Sequence, residues 1–213
     1  MEEFLSKITF SQFLIFTTVL MMLFLFKRKK KVHILLLLIV TVCLGTEMLT
    51  NFFIINSIGF GALYSISAVI HNVLWFAVLF SIIERLRYLK ILILAYVLLA
   101  IINFLFIEGR LQFNVYSFAL GAVLYLIIFI SENIIQLQRE NFLFFEKNES
   151  LLLYTPLLLF IAMSIVLGFR DTQLSDKKII YGLSLYDLII SFANILYYSI
   201  ITIYIYREKK LEK

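Results

Sequence analysis

Three ionisable side chains interrupt stretches of the chain that are otherwise almost wholly apolar. Glu47 lies in VHILLLLIVTVCLGTEMLTNFFII, where residues 34–46 carry no charge. His71 and Asp187 lie in two further apolar stretches. A carboxylate at the centre of a bilayer costs about 2.5–3.5 kcal/mol on insertion scales, so it needs a partner, a proton or a wet cavity. If they lie together, a histidine and two carboxylates can carry protons or bind a small polar ligand.

Polar side chains in these stretches recur every three, four or seven residues, the spacing that places them on one face of a helix. We predict a single ligand pocket in the outer half of a helical bundle. Its lining residues are Glu47, Asn51, His71, Trp75, Asp187 and Asn194. The sequence leaves one alternative open, which is that such groups only hold helices together, at about 0.6 kcal/mol each on average.

No catalytic or metal-binding motif accompanies these residues. The chain has two histidines and one cysteine, and they do not have the spacing of metal ligands. Neither an HExxH zinc signature nor a nucleophile motif is present. The last apolar stretch has no lysine between Lys178 and Lys209, which excludes a retinal protein. We therefore predict no catalytic residue, no metal and no cofactor.

The composition is that of a membrane protein. Hydrophobic residues make up 62% and charged residues 15% of the 213 residues, whereas a soluble domain is about half apolar and a quarter charged. Apolar runs of about 20 residues cross a bilayer as helices. Seven such runs lie at about 8–26, 32–55, 60–83, 88–107, 113–135, 151–169 and 179–206. The predicted fold is all-α, a polytopic bundle of seven transmembrane helices in a single domain, residues 1–213.

The distribution of lysine and arginine predicts the orientation. With the N-terminus outside, the inner segments carry 14 of these residues and the outer segments carry 5. Because cytoplasmic loops are enriched in Lys and Arg, we predict an outer N-terminus and a cytoplasmic C-terminus in the cell inner (plasma) membrane. The basic run at 27–31 lies between two spans and is expected to face lipid headgroups, not nucleic acid.

Three sequence patterns resemble a group of uncharacterised small seven-span membrane proteins of Bacteroidetes. They are an acidic residue late in the second span (TEMLTNFF), an LYxI opening to the third (LYSISAVIHNVLW) and the core of the last (FANILYYSIITIY). The sixth span departs from the group, since TPLLLF stands where an aromatic pair is expected. The resemblance implies an inner-membrane protein linked to signalling and assigns no residue a catalytic role.

Two functions follow as hypotheses. The first is a non-enzymatic sensor that binds a small ligand in the outer polar pocket and signals through a cytoplasmic protein. That partner would dock at 136–150 or on the basic tail at 207–213. The second is a proton-coupled or ion transporter that uses Glu47, His71 and Asp187. A lipid-modifying enzyme ranks last, because no nucleophile or metal site accompanies the carboxylates.

Overall fold

The structure, a computed structural model, describes residues 10–25, 30–83, 86–141, 143–169, 178–180 and 183–211. Its helices are α1 Phe10–Leu25, α2 Lys31–Ile55, α3 Gly61–Ile82, α4 Leu86–Ile102, α5 Val115–Gln138, α6 Leu143–Glu146, α7 Asn148–Leu152, α8 Thr155–Phe169 and α9 Leu185–Leu211. The segment Asn103–Ile107 continues α4 as a π-helix. Two short strands, β1 Lys178–Ile180 and β2 Leu183–Ser184, pair antiparallel before α9.

Six helical segments among the described residues are long and apolar enough to cross a membrane. They are Lys31–Ile55, Gly61–Ile82, Leu89–Ile107, Val115–Gln138, Asn148–Phe169 and Leu185–Lys210. A shorter apolar helix, Phe10–Phe24, accompanies them. Helices suit lipid because they satisfy every interior backbone group within one segment. The predicted helical membrane bundle is confirmed at this level.

Consecutive long helices run antiparallel, so the bundle has two distinct ends. Asn51 near the end of α2 donates a 3.0 Å hydrogen bond to Gln12 near the start of α1. Lys30, directly before α2, donates at 2.8 Å to Glu208 near the end of α9. The "Glu47 end" therefore holds the starts of α1, α3, α5 and α9, and the "Lys30 end" holds the starts of α2, α4 and α8.

The core forms where α3 and α9 face each other. Both helices have neighbours on either side: α3 packs against α2, α4 and α5, and α9 packs against α1, α7 and α8. The largest side chains of the core, including Trp75, Phe76, Tyr197 and Tyr204, have no exposed surface. Outward faces expose large apolar groups instead, such as Phe106 at 79%. A surface of this kind is what acyl chains cover.

The last helix begins later than predicted. The apolar run from 179 was assigned wholly to a span, but its first residues pair as β1 and β2, and α9 begins at Leu185. Ser184 fixes the start of α9 as its N-cap, through reciprocal hydrogen bonds with Asp187. Its backbone N and its Oγ donate to Asp187 Oδ2 at 3.1 and 2.7 Å, and the Asp187 N–H donates back to Oγ at 3.1 Å. A capping box of this type fixes the start of a helix more firmly than apolar content does.

Candidate functional site

Glu47 lies at the meeting point of α1, α2 and α3. Gln12 Nε2 donates to its Oε2 at 3.4 Å, and the Tyr64 hydroxyl donates to its Oε1 at 3.5 Å. Gln12 Oε1 in turn accepts from Asn51, so Glu47 and Asn51 share one partner. We call Gln12, Glu47, Asn51 and Tyr64 the Glu47 cluster. Both bonds to the carboxylate are at the long limit for hydrogen bonds, so it is only loosely held.

Gln12 was missed in the sequence because α1 offers only scattered polar residues. Its first span suggests Ser11, Thr17 and Thr18, and none of these marks a buried site. In the structure Gln12 is 1% exposed and Thr18 is 3% exposed. Gln12 and Thr18 lie on one face of α1 together with the buried Ile15, at spacings of three, but they are the only polar residues among its buried side chains. Only the partner helix α2 reveals the role of Gln12.

His71 forms a compact cluster with Trp75 and Tyr197. The Trp75 Nε1–H donates to His71 Nε2 at 3.1 Å and to the Tyr197 hydroxyl at 3.0 Å. The same hydroxyl lies 3.1 Å from His71 Nε2. Since an indole N–H can only donate, Nε2 serves as an acceptor and the imidazole proton is assigned to Nδ1. This "His71 cluster" joins α3 to α9 across the core.

Cys43 and Tyr198 lie beside the two clusters. Cys43 is part-buried on α2, one helical turn before Glu47. Tyr198 is the sequence neighbour of Tyr197, and their rings contact edge to face at 5.0 Å. The polar faces of α2 and α3 also meet between the two clusters, where the oxygens of Thr46 and Ser67 are 2.7 Å apart. The predicted Glu47, Asn51, His71 and Trp75 therefore lie on helices that face each other.

Asp187 and Asn194 bind residues outside both clusters. Asp187 is exposed and its carboxylate caps α9 through Ser184, as described above. Asn194 is part-buried and donates to Ser11 on α1 at 3.3 Å. All six residues remain predictions as ligand contacts: Asn51 and Trp75 are buried, Glu47, His71 and Asn194 are partly exposed, and Asp187 is exposed.

The opposite end of the bundle holds a polar network that the sequence did not predict. Glu208 is 4% exposed and its Oε2 accepts from Lys30 Nζ at 2.8 Å. Its Oε1 accepts from Asn148 Nδ2 at 2.9 Å. Further contacts complete this "Lys30–Glu208 network". Lys30 also donates to Glu149 at 3.1 Å, and His33 Nε2 lies 3.0 Å from the Tyr204 hydroxyl and 3.5 Å from Glu208.

The charge of Lys30 is stable over the whole neutral pH range. Partial burial by itself lowers the pKa of Lys30, but the carboxylates of Glu208 and Glu149 outweigh burial and raise that pKa above its usual 10.5. A raised lysine pKa means that the paired, charged form stabilises the fold at all pH values below the ordinary pKa. The contribution is lost only as the pH rises through the raised value. Lys30 therefore does not change its charge near neutral pH, and it does not make the network a pH switch there.

This network was overlooked because REKKLEK reads as a solvated basic tail. One signal could have revealed it. Tyr197, Ile201, Tyr204 and Glu208 follow one another at spacings of four, three and four residues. That spacing continues the buried face of α9 one turn beyond its apolar stretch, and it places the Glu208 carboxylate inside the bundle instead of in water.

A dry apolar layer separates the His71 cluster from the Lys30–Glu208 network. Its side chains have no exposed surface and all belong to one core cluster. They are Leu36, Ile39, Val40, Leu79 and Ile201. Within the described residues, no group of three or more His, Cys, Asp or Glu is placed to hold a metal ion. The two polar regions therefore lie on the same helices without a polar connection through this layer.

Comparison with known proteins gives no relative for this chain. No protein-family model matches it, and no curated protein and no solved structure matches it either. The resemblance to small seven-span membrane proteins of Bacteroidetes remains a prediction from the quoted motifs. The arguments about function below rest on geometry and chemistry alone.

Proposed function

We propose that the protein is a seven-span sensor of the cell inner membrane. A small polar ligand binds at the Glu47 end, and the resulting helix shift is read at the Lys30 end by a cytoplasmic signalling protein. In this proposal α1 is the seventh crossing, the N-terminus is outside and the C-terminus is cytoplasmic. The basic Lys30 end then faces the cytoplasm, in line with the usual enrichment of Lys and Arg there.

One observation carries the proposal. The same two helices, α2 and α9, hold polar clusters at both ends, and the apolar layer lies between them. On α2 these are Glu47 towards one end and His33 at the other, and on α9 they are Tyr197 of the His71 cluster and Glu208. A packed layer does not deform smoothly, so a displacement at one end is carried along the helices to the other.

The chemistry of the Glu47 cluster indicates the kind of ligand. The carboxylate is partly exposed and its described hydrogen bonds are long, so a better donor can compete for it. The aromatic ring of Tyr64 lies close by and favours a cation. The ligand class is therefore a small amine or another positively charged hydrogen-bond donor.

Transport of protons is the second candidate, and one feature favours it. Groups that exchange protons recur along the interior of the bundle, at Glu47, Tyr197, Tyr204 and Glu208. Between Tyr197 and Tyr204 the row is broken by Ile201 and the other members of the apolar layer. Transport therefore requires this layer to open, whereas sensing does not.

The single tryptophan of the chain permits a direct test. Trp75 belongs to the His71 cluster, so its fluorescence reports on the region next to Glu47. The protein in lipid nanodiscs is titrated with a panel of small amines, amino acids and polyamines. We expect a saturable change in Trp75 emission with at least one of them. Glu47→Gln should abolish the change, and Glu140→Gln, at an exposed turn of the other end, should not.

A parallel flux assay separates the two candidates. Proteoliposomes with a pH gradient and an internal pH dye are compared for the wild type and Glu47→Gln. Sensing predicts no proton flux in either sample together with the fluorescence response. A flux that Glu47→Gln removes, with no fluorescence response to any amine, would overturn the sensor proposal in favour of transport.

A further inference from the structure

A cavity of about 130 Å³ opens at the Lys30 end, on the side away from the Lys30–Glu208 network. It lies between α5, the short helices α6 and α7, and the end of α9. Aromatic rings of Phe129 and Tyr154 form one wall and contact each other edge to face at 5.2 Å. Lys147 and Arg207 form the charged side together with Glu146.

The two cations of this cavity are not used by the fold. Among the described residues, the ion pairs of this end all involve Lys30 or His33, and none involves Lys147 or Arg207. Both side chains are exposed. With Glu146 nearby, the cavity has a net charge of about one positive unit, which matches the single negative charge of a phosphodiester. An arginine and a lysine are the usual partners of phosphate oxygens.

The surroundings of the cavity are suited to a molecule with a polar head and long apolar chains. The outward faces of α5 and α8 beside it expose Ile130, Ile134 and Ile161 at 47%, 49% and 59%. Tyr154, whose ring also borders the cavity, is 46% exposed. Aromatic residues of this kind are typical of the level of lipid headgroups. A ligand can therefore keep its head in the cavity while its chains follow the two helices.

We propose that this cavity binds the phosphate-bearing headgroup of a phospholipid. Lys147 and Arg207 donate to the phosphodiester oxygens, and Glu146 remains available to an amino or hydroxyl group of the same head. Because α7 also carries Asn148 and Glu149, which bind Glu208 and Lys30, the lipid fastens the outer side of the network. The inference is independent of ligand sensing at the Glu47 end.

Native mass spectrometry of the full-length, delipidated protein tests this site. The protein is titrated with phosphatidylglycerol, phosphatidylethanolamine or inorganic phosphate, for the wild type and for a Lys147→Gln/Arg207→Gln variant. The matched control is Lys209→Gln/Lys210→Gln, which removes the same charge from exposed residues at the end of the same helix. Trp75 emission verifies that each variant keeps its core.

We expect one phospholipid to bind the wild type and the control with equal affinity. The affinity of the cavity variant should be lower by about tenfold or more, because charge-assisted hydrogen bonds are lost. Equal weakening in the control would mean general attraction to a basic surface and would overturn the site. Unchanged binding in the cavity variant would do the same. Inorganic phosphate that binds or displaces lipid at equal concentration would show a site for a free anion and overturn the lipid assignment.

Discussion

At the scale of single residues, the carboxylates of Glu208 and Glu47 differ in how firmly they are held. Glu208 accepts hydrogen bonds of 2.8 and 2.9 Å from a cation and an amide. Glu47 accepts bonds of 3.4 and 3.5 Å from neutral groups. Short bonds that include an ion pair hold a carboxylate more firmly than bonds near the 3.5 Å limit do. We therefore expect Glu208 to matter for stability and Glu47 to matter for binding.

Replacing Glu208 tests the first part of this contrast. Glu208→Ala removes the carboxylate that binds Asn148 and leaves Lys30 with Glu149 alone, so we expect the free energy of unfolding to fall by about 1–3 kcal/mol. Glu208→Gln keeps an acceptor oxygen and should recover part of the loss. Denaturation in mixed detergent micelles measures both, with Glu140→Ala at an exposed turn as the control. A loss in the control as large as in Glu208→Ala would contradict the expectation.

The hydroxyl of Tyr197 gives a second test, with a spectroscopic readout. In Tyr197→Phe the Trp75 N–H loses one of its two acceptors, at 3.0 Å, and keeps His71. The excited indole is then less stabilised by polar neighbours, and its emission should move to the blue. Tyr204→Phe removes another fully buried hydroxyl of α9, away from the indole, and should leave the emission unchanged. Identical spectra for Tyr197→Phe and the wild type would disprove the bond.

At the scale of elements, the sequence predicted the helices well and their ends less well. The second span was placed at 32–55 and α2 is Lys31–Ile55, because an uninterrupted apolar run admits only a helix in lipid. The predicted start of the last helix at 179 was wrong, because isoleucine and tyrosine suit a strand as well as a helix. There, the Ser184 cap decided the outcome, and its signal in the sequence was the three-residue spacing from Ser184 to Asp187 before an apolar run.

The packing of α3 against α5 depends on one small residue. A Cβ on Gly121 would lie 2.1 Å from Asn72 Nδ2 and 2.9 Å from the Tyr96 hydroxyl. Both partners are buried and bonded to each other at 2.9 Å, so neither can move cheaply. Gly121→Ala should cost about 1–3 kcal/mol of stability through overpacking.

A matched glycine makes this prediction sharp. Gly168 in α8 has no atom within 4 Å of the position of a Cβ. Gly168→Ala should therefore be neutral or stabilising by up to roughly 1 kcal/mol, since alanine favours helix. The same denaturation assay compares both variants. If the two alanines behave alike, close approach of α3 and α5 at Gly121 is not what determines stability.

At the scale of the whole molecule, the sequence predicted a membrane bundle but not which polar groups meet. Stripes at helical spacing indicated the buried faces of α2 and α3, and these faces do meet through Thr46 and Ser67, whose oxygens are 2.7 Å apart. Pairings such as Gln12 with Glu47 depend on how helices rotate and settle against each other. Those rotations follow from side-chain packing across the whole bundle, which one stripe does not contain.

The number of crossings and the orientation provide the last prediction. A seven-span arrangement puts the two chain ends on opposite sides of the membrane, whereas six spans would put them on the same side. Single cysteines at Ser57 and Lys210, in a Cys43→Ser background, mark the two ends of the bundle. With an impermeant maleimide applied to intact cells, we expect labelling of Ser57→Cys and of an N-terminal tag cysteine, and none of Lys210→Cys until the cells are opened. If the tag cysteine, like Lys210→Cys, is labelled only after the cells are opened, α1 does not cross the membrane. The Glu47 end would then lack one of the walls that the proposed pocket requires.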